Sequence, residues 1–501
     1  MLIRRLYLLS AVLFLLGVLW VSFSCSGGGG GGSDSGGLPF FTNVRVQSGI
    51  VEAGNLGQTA AWGDFNVDGF IDLFTASTDF PPPNVFLYRN GAAALFIDLT
   101  MGSGIFDQAL RSSAWADYDN DGLPDLVVGT IMGGAPAILY KNLDGSVFMD
   151  VSAAAGITAV GGSANHTIWA DYDGDGLVDL LQANAGISRL YHNEGDGTFT
   201  EVSAMAGLGD SLSTKSAVFV DFDNDGFVDL FLANGGANNY FHNNGDGTFT
   251  DMTAAAGLAG DPAWNSAAVC AGDFNGDGFF DLYVSNIGSS RNALYVNNAN
   301  GTFTDVTLAS GTQDFGDGRT CAFVDFDADG LIDIMSTNHT TPTSLFRNLG
   351  AGVFVDVAPD VGVSTPIDVF SAAWGDYNND GFMDVFLTGH IGIALMLNSG
   401  NQNNTLVIEL VGSGDVTNIS AIGSRVEVTD FAGVQMREVS GGRGCCEQDM
   451  LPVHFGLGMD SEVDVLVRWS GGGECFFPGV NVIGGARFVV FEDGCEIVQE
   501  D

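Results

Sequence analysis

Hydrophobic positions in this chain come in short bursts rather than in long helical stripes. Ala60-Ala61-Trp62-Gly63, Ala217-Val218-Phe219-Val220 and Ala322-Phe323-Val324 are three such bursts, and Leu177 to Leu181, Phe227 to Ala233 and Leu331 to Met335 are three more. They are rich in Phe, Val and Ile and are bounded by Gly and Asn, which predicts strands. Within a burst both alternating faces are apolar, the pattern of a sheet packed between two other sheets.

The bursts flank a polar pattern that repeats. Asp-x-(Asp/Asn)-x-Asp-Gly-x-x-Asp begins at Asp64, Asp117, Asp171, Asp221, Asp273, Asp325 and Asp376, with separations of 53, 54, 50, 52, 52 and 51 residues. A second half-motif follows about 20 residues later, as in Leu190 to Val202 and Tyr240 to Met252, with echoes at Leu294 to Val306 and Leu345 to Val357. The Asp-Gly and Asn-Gly pairs between its apolar ends predict tight hairpins. Each unit therefore supplies about four strands, and four strands at a period near 50 is the mark of propeller blades. The last unit lacks its final strand, while Phe41-Thr42-Asn43-Val44 stands alone near the start. That strand is expected to complete the last blade and close the ring, which removes open sheet edges.

The expected fold is thus all-β: a seven-bladed β-propeller over residues 39–400, then a small β-rich, sandwich-like domain over 401–501. Ahead of them, residues 1–25 have the pattern of an export signal, with Arg4 and Arg5 before the apolar run Leu6 to Val21. Ser24-Cys25 makes Cys25 a candidate lipidation site; simple cleavage or an uncleaved anchor stay open. Residues 26–38 have the Gly/Ser composition of a flexible tether. Export predicts a protein at the cell surface, on the outer membrane or secreted. It also permits disulfides: Cys270 and Cys321 lie one repeat apart, leaving an inter-blade bridge or two buried thiols. Cys445, Cys446, Cys475 and Cys495 are placed to staple the C-terminal domain.

The chain has 501 residues and a formal net charge of −45, which excludes a nucleic-acid partner because the phosphates would be repelled. The acids are not spread as a solvating coat, since 25 of the 61 lie at repeat positions 1, 3, 5 and 9. These positions are Asp64, Asn66, Asp68 and Asp72; Asp117, Asp119, Asp121 and Asp125; Asp171, Asp173, Asp175 and Asp179; and Asp221, Asp223, Asp225 and Asp229. The last three units supply Asp273, Asn275, Asp277 and Asp281; Asp325, Asp327, Asp329 and Asp333; and Asp376, Asn378, Asp380 and Asp384. Three or four carboxylates in one nine-residue loop repel each other strongly without a cation. Oxygen-only donors suit Ca2+, and glycine at position 6 permits the turn around it. An EF-hand is excluded, because position 12 is Thr75, Val128, Gln182, Leu232, Val284, Ser336 or Leu387, never Glu. Up to seven calcium ions are expected, in a structural role. Extracellular calcium modules bind at about 10⁻⁴–10⁻³ M, and a tenfold excess adds roughly 1.4 kcal/mol per site.

These loops, together with Gly-Asp-Gly-Thr-Phe-Thr-Asp, resemble FG-GAP/VCBS repeats, the calcium-binding propeller units also found in integrin α-subunits. The resemblance implies that positions 1, 3, 5 and 9 ligate the ion. From Asn403 onward, Asn404 to Leu410, Ala421 to Val428, His454-Phe-Gly-Leu-Gly and Val465 to Trp469 resemble the ASPIC/UnbV domain. Cys445-Cys446 and the absence of Pro after Trp469 depart from that pattern.

No nucleophile elbow, zinc-protease helix, phosphate loop or dinucleotide fingerprint occurs, so the expected function is binding or adhesion to an extracellular protein or glycan rather than catalysis. The alternative is an enzyme on the propeller scaffold, a polysaccharide lyase for instance; with 16 Lys and Arg in the chain, neutralising an acidic sugar is difficult. His192 and His242 share one repeat position and read as structural, as does His454. His166, His339 and His390 depart from the repeat and are candidates to line the central funnel, against the ordinary reading of polar residues at strand ends.

Overall fold

A computed structural model describes residues 37–500 except 51–56, 78–84, 107–109, 132–134, 159–163, 210–212, 289, 365–367, 390–391 and 445. The export signal, Cys25, His390 and Cys445 therefore lie outside the described residues. Among those described, no helix is long and apolar enough to cross a membrane.

The strands form nine four-stranded antiparallel or mixed sheets, seven of them from the repeat region. Blade 4 is representative, with strands Thr214–Val220, Asp229–Asn234, Asn239–Asn243 and Phe249–Asp251 hydrogen-bonded in chain order. The second strand of every blade is buried along its whole length, as in Asp229–Asn234 and Asp333–Asn338. That explains why its sequence is apolar on both faces. The seventh sheet joins Val369–Gly375, Asp384–Gly389 and Gly392–Asn398 to the N-terminal strand Phe41–Asn43, which pairs antiparallel to Gly392–Asn398 from Phe41↔Asn398 to Asn43↔Met396. The lone early strand thus completes the last blade, as expected.

Neighbouring blades are tied in a way that closes the circle. The asparagine that ends each third strand donates from Nδ2 to two carbonyls, one in its own blade and one in the blade before it. Asn142 reaches Phe65 O at 2.8 Å, Asn193 reaches Tyr118 O at 2.8 Å and Asn243 reaches Tyr172 O at 2.7 Å. Asn297, Asn348 and Asn398 repeat this toward Phe222, Phe274 and Phe326. Asn90 of blade 1 then donates to Tyr377 O of blade 7 at 2.6 Å. On the inner strands, Trp62 Nε1 likewise donates to Ala373 O across that same junction at 3.0 Å.

The C-terminal domain has two sheets. One orders Val453–Gly456, Thr405–Val411, Ala486–Phe491 and Glu496–Gln499; the other orders Val434–Glu438, Arg425–Thr429, Glu462–Arg468 and Glu474–Asn481. One hydrophobic cluster runs from Leu406, Ile408, Val426 and Val465 of this domain into Ala114, Val127 and Tyr191 of the propeller. Disulfides join Cys270 to Cys321, between the inner strands of blades 5 and 6, and Cys475 to Cys495 in the C-terminal domain. Cys446 is not part of that staple; it is buried in the propeller beside Cys270 and Cys321.

It reaches there because residues 440–450 leave the C-terminal domain and run into the propeller axis. Gly441 O accepts from Trp169 N, Gly444 N donates to Val269 O, Gln448 exchanges backbone bonds with Ala60 and Trp62, and Met450 N donates to Trp374 O. The Gln448 side chain bonds both N and O of Trp115, at 2.6 and 2.9 Å. Ser216 donates to Gly444 O, Thr59 to Cys446 O, and Thr320 bonds Glu447. This one segment touches the inner strand of all seven blades.

Candidate metal centres in the inter-strand loops

Each acidic loop joins the first strand of a blade to the second, and backbone amides hold its carboxylates in place. In blade 4, Asp221 accepts from Asp225 N at 3.2 Å and from Gly226 N at 3.1 Å, while Asp225 accepts from Phe227 N at 2.9 Å. Asp229 accepts from Phe222 N at 3.3 Å and from Asn243 N at 2.8 Å. The same contacts recur in blade 1, where Asp64 caps Asp68 N and Gly69 N, and Asp72 caps Phe65 N and Asn90 N. Two residues per loop take left-handed backbone: position 6, always glycine, at φ +94° for Gly226 and +87° for Gly381, and position 4. Position 4 is Asn120, Asn224 or Asn379 in three blades but Val67 in the first, at φ +56°. A β-branched residue there is strained. The three asparagines donate to the position-6 carbonyl of the next loop: Gly176, Gly278 and Gly69.

The predicted residues are therefore brought together. Oxygens of Asp117, Asp119 and Asp125, of Asp171, Asp173 and Asp175, and of Asp221, Asp223 and Asp225 lie within 4.8 Å of one another in each group. Position 3 is the telling place. Asn66 Oδ1, Asp119 Oδ1, Asp173 Oδ1 and Asp327 Oδ1 are buried and accept no hydrogen bond. An orphaned buried oxygen is costly, and four at one repeat position fit a set of donors turned toward a hard cation.

Burial sets the electrostatics. It pushes Asp64, Asp117, Asp171 and Asp376 up to about 7, with neighbouring carboxylates adding to the effect. For Asp179 and Asp281 it reaches about 8. Without a positive partner these loops would hold protons near neutrality.

Sequence reasoning missed one contributor. In blades 3 and 4 the residue before the latch asparagine is a histidine that faces the acidic loop of its own blade. His192 Nδ1 lies 3.2 Å from Asp173 and 3.3 Å from Asp179; His242 Nδ1 lies 3.3 Å from Asp223 and 3.1 Å from Asp229. The Asp179 carboxylate beside it, with Asp173, raises His192 to about 9. These two histidines belong to the acidic clusters and are not merely structural. Their shared repeat position, one residue before an invariant Asn of the seven units, was the available signal.

The other described histidines, His166, His339 and His454, each have partners of their own. His166 is buried on the inner strand of blade 3, where its Nδ1 accepts from Ala217 N at 3.2 Å, and burial lowers it to about 3. His339, half-buried, bonds Asp368 and packs edge-on to Phe370 at 5.7 Å. His454 meets Gly381 O at 2.9 Å and ties the C-terminal domain to the seventh loop. Arg425 does the same at the fourth, bonding Asn224 Oδ1 at 2.5 Å and Asp221 O at 3.2 Å.

The profile of the FG-GAP-like repeat matches residues 49–128, 171–232, 221–284, 273–336 and 325–387. The chain belongs to the FG-GAP-like repeat family. Following these FG-GAP-like repeats, residues 414–483 match the ASPIC and UnbV domain. Cartilage acidic protein 1 of Mus musculus is 30% identical over 171 residues, 32% of this chain and 26% of that protein. The Homo sapiens protein of the same name is 28% identical over 172 residues, 32% of this chain and 25% of that one. The chain thus spans about a quarter of the length of these curated relatives. Among solved structures, the BP39L lectin of Burkholderia pseudomallei is similar at a TM-score of 0.46 and 13% identity, covering 69% of this chain and 97% of the lectin. A rhamnogalacturonan lyase of Bacillus licheniformis is similar at a TM-score of 0.39 and 12% identity, covering 90% of this chain and 76% of the lyase.

Proposed function

We propose that this FG-GAP-like repeat protein is an exported binding module whose loops hold up to seven structural calcium ions, and which engages an extracellular protein or glycan. The observation that carries the calcium reading is the set of buried position-3 oxygens without hydrogen-bond partners, each inside a loop of carboxylates already fixed by backbone amides. A hard divalent cation satisfies those oxygens and removes the repulsion that burial otherwise meets with protons. Extracellular placement is supported by the similarity to cartilage acidic protein 1 and by the two disulfides.

The C-terminal domain covers the acidic-loop face and residues 440–450 occupy the axis, so the ligand is assigned to the opposite face or to the outer strands. Capture from native surface extracts in millimolar calcium tests this, with a glycan array alongside. Retention of one ligand in calcium and its loss in chelator is the expected result. Unsaturated product from a uronic-acid polymer would contradict the non-catalytic reading.

A further inference from the structure

The seven loops do not stand beside the same side chain. Before the latch asparagine the third strands carry Arg89, Lys141, His192, His242, Val296, Arg347 and Leu397. In blade 2, Lys141 Nζ bonds Asp119 and lies 3.0 Å from Asp121 Oδ2. In blade 6, Arg347 Nε lies 2.5 Å from Asp327 Oδ2 and Nη2 lies 2.7 Å from Asp329 Oδ2. Each cation thus spans positions 3 and 5 of its loop. In blades 5 and 7 the equivalent residues are Val296 and Leu397, and the position-5 acids Asp277 and Asp380 accept from the backbone amides of Phe279 and Phe382. Position 3 changes in step: it is Asp beside Lys141, His192, His242 and Arg347, and Asn beside Val296 and Leu397. Blade 1 combines Asn66 with Arg89, whose charge acts on Asp68.

We infer that the residue before the latch asparagine tunes the ion affinity of its own loop, with Lys141 and Arg347 as resident competitors that hold the sites of blades 2 and 6 below the strength their four carboxylates would otherwise give. This rests on the calcium reading above. An ion entering blade 2 or 6 must draw two carboxylates away from a fixed positive charge, and that charge then stays nearby. A unit charge about 4–5 Å from a divalent ion weakens binding on the order of tenfold or more even with water-like screening. Among the described residues, no third-strand cation spans positions 3 and 5 in blades 5 and 7; the positive charges that reach these loops are Arg437, acting on Asp273, and Arg487, acting on Asp376, both from the C-terminal domain.

The test is a calcium titration of the full chain by calorimetry, with bound ions counted by native mass spectrometry. Several bound ions are expected in the wild type. Lys141→Met and Arg347→Met should each tighten one of them about tenfold or more, and Lys141→Arg should not. Val296→Lys should weaken one site by a similar factor, which keeps the test open if a methionine variant fails to fold. Wild-type ion binding with unaltered titrations in Lys141→Met, Arg347→Met and Val296→Lys would overturn this inference alone. A wild type that binds no ion would overturn the calcium reading together with it.

Discussion

The rim of the acidic face and the axis of the propeller solve the same problem, joining seven blades into one ring, by opposite means. At the rim each junction is local and repeated: a carboxylate caps two amides, and an asparagine reaches back one blade. At the axis a single segment, residues 440–450, meets seven inner strands with seven different contacts, including one buried guanidinium. Damage at the rim is shared among copies, whereas damage at the axis has no second copy to fall back on. The two regions also differ in chemistry. The rim concentrates buried carboxylates, while the axis brings a guanidinium to its acids: Arg443 bonds Asp449, lies 3.4 Å from Glu447 Oε1, and also donates to the carbonyls of Cys321 and Ala372.

The largest effect expected is on the rim, with the cation removed. Burial raises the folded-state pKa of Asp64, Asp117, Asp171 and Asp376 to about 7 and of Asp179 and Asp281 to about 8. A raised carboxyl contributes stability that is present below its unfolded value near 4 and is lost as pH climbs through the folded value. In chelator the protein should therefore lose stability steadily from about pH 4 to pH 8. In calcium that decline should vanish, and calcium binding at pH 7 should release protons, measurable by titration in buffers of different ionisation enthalpy.

At the axis, Arg443→Met removes the guanidinium that bonds Asp449 and lies 3.4 Å from buried Glu447. A loss of about 3–5 kcal/mol is expected by denaturant unfolding, with the calcium stoichiometry unchanged. Next comes one latch: Asn243→Ala removes the donor to Tyr172 O and Val228 O and should cost about 2 kcal/mol. A result near that of Arg443→Met would erase the distinction between shared and unshared junctions. The smallest effect is a gain. Val67→Asn relieves left-handed strain at φ +56° and restores the residue found at position 4 of blades 2, 4 and 7, for about 1 kcal/mol of added stability.

The blades were legible because each is specified within about 50 residues and then repeated, so one reading of Asp221 to Asp229 serves for every unit. The same repetition placed Phe41–Asn43 in the last blade. Two things were harder to read. The asparagine latch and the basic residue before it stood in the sequence at fixed spacing, but an amide that bonds a carbonyl some 70 residues away leaves no local pattern. The axial segment left even less: Gly441 to Gly444 looks like an ordinary turn, and its partners Ala60, Trp115, Trp169 and Trp374 are hundreds of residues distant. His166 was a candidate to line the funnel, against the ordinary reading of a polar strand-end residue, because it departs from its repeat. The departure is real, but its cause is the neighbouring strand, where the ring accepts from Ala217 N.

Calcium-dependent melting of the full chain, with bound metal counted in the same sample, tests the central claim most directly. Calcium should bind in several equivalents, and its removal should lower the melting temperature well beyond the shift from any single substitution above. Identical melting in excess chelator and in calcium, with no divalent ion bound, would contradict it.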